Sequence, residues 1–322
     1  MRETSLKTVF ELARKDERVF FIGSDLGYGV LKEFKKEIPS RFFMEGVSEA
    51  NIIGMAAGLA MEGQIVYVST IATFLTRRCY EQVAVDLCMH NANVRLLATS
   101  GGYVNAPLGP THQAIEDIAI FRALPNMTVL APADAVEMRR LILATLDHPG
   151  PIYVRMGKGH DAVVTKDDGP FQIGKAVTIR EGSDAVLLTT GVSLQVCVAA
   201  ADLLKSKGIE AGILHLPTIK PLDAEGILAA VQRVPVAISV EEHTLMGGLG
   251  SAIAEVLCES DLLAERRFKR IGIPDVFADK YGDQIGLMKY YGISPENIAE
   301  QVLALRSTLR SRAIPVRIDR AA

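Results

Sequence analysis

The chain has 322 residues, 49% of them hydrophobic and 23% charged, with 6% aromatics and no tryptophan; its formal net charge is −3. A weakly acidic chain without a long basic run excludes nucleic acid as the expected partner. It also carries neither a signal-peptide core at its start nor an apolar run of the roughly 18 residues a membrane span needs, so no membrane association and a cytoplasmic location are expected. Four cysteines, Cys79, Cys88, Cys197 and Cys258, are far apart and match no zinc spacing, which reads as reduced thiols and no metal site on this chain. The length exceeds the roughly 100–200 residues of one domain, and packing must rely on Val, Ile, Leu and Ala, which favours α/β architecture with buried parallel strands.

In chain order, short aliphatic runs bounded by Gly, Pro, Asp or Asn predict strands at 19–23, 65–69, 94–98, 127–131 and 151–155. Amphipathic stretches at 3–15, 49–62, 77–90, 113–123 and 134–147 predict helices between them, the pattern of βαβ units. The polar, turn-rich stretch that begins near Gly157-Lys-Gly-His-Asp161 breaks this rhythm and reads as a linker over 161–180. Strand-like runs resume at 185–190, 211–215 and 236–240, with a helix over about 193–205 that Gly208 should stop. The expected architecture is two doubly wound α/β domains, residues 1–160 and 181–322, with mostly parallel sheets.

Three segments carry chemistry, and a fourth is a weaker candidate. Glu45-Gly-Val-Ser-Glu-Ala-Asn-Ile-Ile-Gly54 leads Glu49 into the apolar helical run 55–61. A carboxylate entering apolar surroundings is paired or protonated, because a bare buried charge costs several kcal/mol. A protonated Glu49 could serve a nitrogen heterocycle, while a helix cap is the simpler alternative. Gly109-Pro-Thr-His-Gln-Ala-Ile-Glu116 brings His112 and Gln113 to a loop before a helix, as a proton donor or oxyanion stabiliser, or as a cap. Phe74-Leu-Thr-Arg-Arg-Cys-Tyr80 offers Phe74 and Tyr80 as a stacking surface or as core, and Arg77 and Arg78 as anion contacts or as a solvated face. Gly247-Gly-Leu-Gly250 opens a helix and reads equally as a phosphate site or as close packing.

These segments together resemble the C-terminal half of a transketolase. So do Phe121-Arg-Ala-Leu-Pro-Asn-Met-Thr-Val-Leu-Ala-Pro-Ala-Asp134, Pro217-Thr-Ile-Lys-Pro-Leu-Asp223 and Glu241-Glu-His-Thr-Leu-Met-Gly-Gly-Leu-Gly250. The resemblance implies a pyrimidine-binding domain followed by a transketolase C-terminal-type domain, and a transferase that moves a two-carbon ketol unit with thiamine diphosphate. It implies Glu49 at the cofactor's aminopyrimidine, Phe74 stacked on that ring, Tyr80, Asp25 and Arg77 in the cofactor pocket, and His112 on the substrate oxygen. The family's magnesium motif has no counterpart here. The chain therefore resembles the smaller subunit of a split transketolase, whose N-terminal-half partner would hold Mg2+ and the diphosphate, within an α2β2 heterotetramer around a homodimeric core.

At positions where the family contacts a sugar or sugar-phosphate substrate, this chain has Ser100 for a frequent histidine, Leu108 for a frequent aspartate, and Lys158 at or near an arginine position. Arg155 lies just upstream of Lys158, Arg2 falls close to a further phosphate-contacting arginine, and Arg77 replaces a pocket aromatic. Lysine offers a point charge where arginine offers a bidentate fork, so an altered sugar specificity is expected. A 2-oxo acid dehydrogenase β subunit, a 1-deoxyxylulose-5-phosphate synthase-like enzyme and a non-catalytic regulatory subunit are the alternatives.

Overall fold

The computed structural model describes residues 1–24, 28–157, 161–264 and 266–312. Two sheets organise the chain. The first uses β1 (Val19–Gly23), β2 (Phe42–Met44), β3 (Ile65–Ile71), β4 (Val94–Thr99), β5 (Thr128–Leu130) and β6 (Ile152–Arg155). The second uses β7 (Val177–Arg180), β8 (Ala185–Thr189), β9 (Ala211–His215), β11 (Val236–Thr244) and β12 (Arg267–Ile273); β10 (Thr218–Lys220) lies between β9 and β11 in sequence. Their orders are β10-β5-β6-β4-β3-β1-β2 and β12-β11-β8-β9-β7. Pairing is parallel except at β10 on β5 and β7 on β9. Every residue of β4, β6, β8 and β9 is buried, as strands covered by helices on both faces require.

The two doubly wound α/β sheets expected from the alternation of strand and helix are present, with two departures. The stretch 161–180, expected as a linker, contributes β7 as an antiparallel edge strand. Its burial is only partial, with Thr178 exposed, so its apolar content is too low for composition to reveal it. The second departure is β10, which comes from the C-terminal half yet closes the edge of the first sheet through Thr218 opposite Leu130. One contiguous apolar cluster accordingly runs from Ile22, Val68 and Leu96 through Phe121 and Val129 to Leu216, Ile219, Leu249 and Ile253. The two halves share a core, and removing its largest members would cost several kcal/mol each.

Strand order places the site. β1 lies between β2 and β3, so successive crossovers leave it in opposite directions, and loops at the carboxyl ends of such strands splay apart into a crevice. The chain leaves β2 into helix Glu49–Met61, leaves β3 into the run beginning at Phe74, and leaves β4 into the loop that ends at His112. The three chemically suggestive segments therefore converge on one edge of one sheet.

Candidate active site

Helix Glu49–Met61 begins with a buried acid, 2% exposed, ahead of Ile52, Ile53, Ala56 and Ala57, which face the core. The N-cap Ser48 turns its hydroxyl to the Glu45 carbonyl at 2.9 Å and leaves the helix end uncapped by a side chain. Glu49 Oε2 instead accepts a bond from Arg78 Nη1 at 2.6 Å. The acid is thus paired by a guanidinium, one of the two outcomes expected of a carboxylate entering apolar surroundings, and no side chain caps the helix end. Arg78 reaches this position because the predicted helix 77–90 is irregular: Phe74–Arg78 and Val83–Cys88 are π-helical. Such turns are frequent where side chains must be re-aimed at a site.

The Arg78 guanidinium carbon lies 4.6 Å from the Phe74 ring centroid, and that ring meets His112 edge-on at 5.3 Å. Glu49, Arg78, Phe74 and His112, from three separate segments, thus form one continuous chain of contacts. His112 closes the 3-10 turn Pro110–His112 and is half-buried, with Thr111 Oγ1 at 2.9 Å from its Nδ1. Thr73 Oγ1 and Gln113 Oε1 are buried and lack hydrogen-bond partners among the described residues. Thr73 precedes Phe74 and Gln113 follows His112, so these unmet polar atoms belong to the same two segments. Cys79, next to Arg78, is no nucleophile: burial, then the nearby Glu49 charge, pushes its thiol up to about 12.

Arg77 holds the histidine loop. Its Nη1 donates to the Pro110 carbonyl at 2.9 Å, its Nη2 to the Gln113 carbonyl at 3.0 Å, and its Nε pairs with Glu116. The residue expected to line the cofactor pocket therefore ties down both sides of His112. At the other end of the same loop, Ser100 has φ 65, a left-handed conformation that costs a non-glycine residue about 1–2 kcal/mol and tends to persist at functional sites. Gly101 and Gly102 follow, and the Gly102 N–H donates to the Ala114 carbonyl at 2.8 Å, closing the loop on itself.

β11 braces that closure from the second sheet. Glu242 accepts from the Tyr103 N–H at 2.8 Å and from Gln284 Nε2 at 3.0 and 3.1 Å. A Cβ at Gly102 would sit 2.3 Å from its carboxyl carbon, so only glycine allows the approach. Burial pushes the Glu242 carboxyl up to about 7, against the attraction of Arg155. The Thr244 N–H donates to the Ile115 carbonyl at 2.8 Å, and His243 Nε2 accepts from the Ala119 N–H at 3.3 Å. These braces were not foreseen as site residues, although consecutive charged residues prolonging the apolar strand 236–240 were a signal for them.

The remaining expectations fare differently. Arg155, expected at a substrate phosphate, is 6% exposed; its Nε binds Asp117 at 2.8 Å and its Nη2 the Glu242 carbonyl at 2.8 Å. A buried guanidinium so engaged cements the domain contact, and the substrate assignment is corrected accordingly. Tyr80 stacks on Phe121 at 6.3 Å and donates to the Ile120 carbonyl at 3.3 Å, which ties it to helix Asp117–Arg122. Arg2 opens helix Arg2–Lys15, which packs against helix Ala135–Ala144. Leu108 is 59% exposed on the loop before His112. Asp25 and Lys158 lie outside the described residues. The glycines of 247–250 serve packing: the Leu249 and Gly250 amides both donate to Glu241 at 2.7 Å, and Gly248 has no room for a Cβ beside that carboxylate. A phosphate would have to displace Glu241, so that alternative falls.

Among the described residues no helix is long and apolar enough to cross a membrane. Comparison with known proteins gives a match to the transketolase pyrimidine-binding domain over residues 1–160 and to the transketolase C-terminal domain over 174–298. The chain is 38% identical over 306 residues to a putative transketolase C-terminal section of Methanocaldococcus jannaschii, covering 94% of this chain and 95% of that one. It is 36% identical to an apulose-4-phosphate transketolase subunit of Phocaeicola vulgatus, with 94% and 96% covered. A split-gene transketolase solved as an inactive beta4 tetramer superposes with a TM-score of 0.87 at 32% identity, over 95% of this chain and 98% of that one. With two family models covering most of its length and relatives of matching extent, the chain belongs to the transketolase family.

Proposed function

We propose that this chain is the smaller subunit of a split, thiamine-diphosphate-dependent transketolase that moves a two-carbon ketol unit from a ketose or its phosphate to an aldose or its phosphate. The observation that carries the reading is the contact chain Glu49–Arg78–Phe74–His112 at the carboxyl ends of the first sheet. Thiamine diphosphate, when bound, supplies the carbanion that takes up the ketol fragment. Glu49 would hold and polarise the pyrimidine end of the cofactor, and Phe74 would stack on it. His112, steadied by Arg77, would donate to the substrate oxygen during carbon–carbon cleavage. The residues placed here fit the pyrimidine end of the cofactor, and the family's magnesium motif has no counterpart in this sequence. Mg2+ and the diphosphate would fall to an N-terminal-half partner, in an α2β2 assembly.

Relatives named as subunits support a two-protein enzyme, as does a split-gene relative that is inactive as a beta4 tetramer. The test is a ketol-transfer assay on the chain alone and on the chain purified with its N-terminal-half partner, with thiamine diphosphate and Mg2+ present. Turnover is expected only from the assembly. Robust turnover from the isolated chain would contradict the split-site reading.

A further inference from the structure

Arg78 faces Glu49 while lying over Phe74. Its Nη1 is 2.6 Å from Glu49 Oε2, its guanidinium carbon is 4.6 Å from the Phe74 centroid, and its side chain is 48% exposed. Glu49 contributes a 2% exposed carboxylate and Phe74 a half-buried ring. A guanidinium is planar, carries N–H donors in its plane, and stacks on aromatic faces. Arg78 therefore meets the same two residues that an aminopyrimidine would meet, a flat cationic group over the ring and an N–H on the acid, where the pyrimidine would bring its own flat face and a ring nitrogen that shares a proton with the acid.

With Arg78 on Glu49 Oε2 and over the Phe74 ring, a pyrimidine that sought the same acid and the same ring would meet the guanidinium already there. We infer that Arg78 is a competing occupant of the pyrimidine seat, which must swing off Glu49 and Phe74 for the cofactor to bind. The inference rests on the proposed function, because it takes Glu49 and Phe74 as the pyrimidine contacts. Its physical reason is the cost of a bare carboxylate at Glu49, which Arg78 relieves until a ligand replaces it. Arg78 is suited to this exchange because half of its side chain is in solvent, so it leaves Glu49 for water at small cost, whereas Arg155, at 6% exposure, could not. Arg77, its neighbour, cannot take over the role, since its guanidinium is engaged by Glu116 and by the carbonyls of Pro110 and Gln113.

The consequence is an affinity held below its intrinsic limit by a side chain of the same subunit. A hydrogen bond to a charged partner, discounted for the exposure of Arg78, corresponds to about a tenfold effect on binding. The probe is thiamine, which carries the pyrimidine without the diphosphate, so contacts from a partner drop out. Binding to the full chain is followed by NMR titration, which reads millimolar affinities. Arg78→Met, which keeps the stem and removes the donor, should bind thiamine about tenfold tighter than the wild type. Arg78→Met combined with Glu49→Gln should lose that gain. Without ligand, Arg78→Met should melt at a lower temperature than the wild type, and the added Glu49→Gln should restore the melting point. Should Arg78→Met fold poorly, Arg78→Lys, a point charge without the flat fork, should show a smaller tightening. The competition is overturned if Arg78→Met binds thiamine no tighter than the wild type while Glu49→Gln weakens wild-type binding, a result that leaves the proposed function standing. Absence of thiamine binding in every variant overturns the competition together with the cofactor assignment beneath it.

Discussion

Glu242→Gln isolates the effect of one buried acid on the contact between the two halves. Glu242 is 2% exposed, takes the Tyr103 N–H and the Gln284 amide as donors, and is pushed from 4.5 to about 7 by burial. A raised value means that the folded chain holds its proton where the unfolded chain has already released it. Glu242 therefore favours folding fully below about 4.5, and that contribution is lost as the pH climbs to about 7. The full displacement corresponds to about 3 kcal/mol. Glutamine keeps the acceptor for Tyr103 and cannot ionise, so the variant's advantage over the wild type should grow from about 1 kcal/mol at pH 5 to about 3 kcal/mol above pH 7.5. Urea unfolding midpoints of both proteins between pH 5 and 9 would measure the difference. A stability difference that stays flat across that range would refute the reasoning.

Two further outcomes follow from the same loop. Gly102→Ala introduces a Cβ at φ 63 that would lie 2.3 Å from the Glu242 carboxyl carbon, so it should lower stability by at least about 2 kcal/mol in the same urea assay. Arg77→Ala frees both sides of His112 without touching Glu49, so the assembled enzyme should lose roughly ten- to a hundredfold in kcat with thiamine diphosphate affinity unchanged, as steady-state kinetics and a binding titration would read.

How much of this was legible in the chain can be judged from particular residues. Strands such as Ile65–Ile71 and Val94–Thr99 are mostly aliphatic, because both faces are covered, and this density marks them in the sequence despite Ser69, Thr70 and Arg95. β2, β7, β10 and β12 are not so marked, since they are short or lie at or near sheet edges, where burial does not impose a pattern. Glu49 stood out because an acid opening an apolar helix requires a partner. Its partner could not be named in advance: Arg77 and Arg78 are adjacent, both were open as anion contacts, and only the π-helical turn decides which one reaches Glu49 and which one reaches Glu116. Arg155 misled for a related reason, as sequence spacing gives no sign that Asp117 lies buried beside it. Contacts across 29 to 87 positions of sequence depend on topology, to which local pattern is blind.

The central claim, that Glu49 is the group through which this chain acts on the cofactor, is tested most directly by the ketol-transfer rate of Glu49→Gln assembled with the proposed N-terminal-half subunit. The substitution preserves shape and removes the acid, so the account predicts a loss of at least about a hundredfold with assembly intact. A rate equal to that of the wild type would contradict it and leave Glu49 as no more than the buried partner of Arg78.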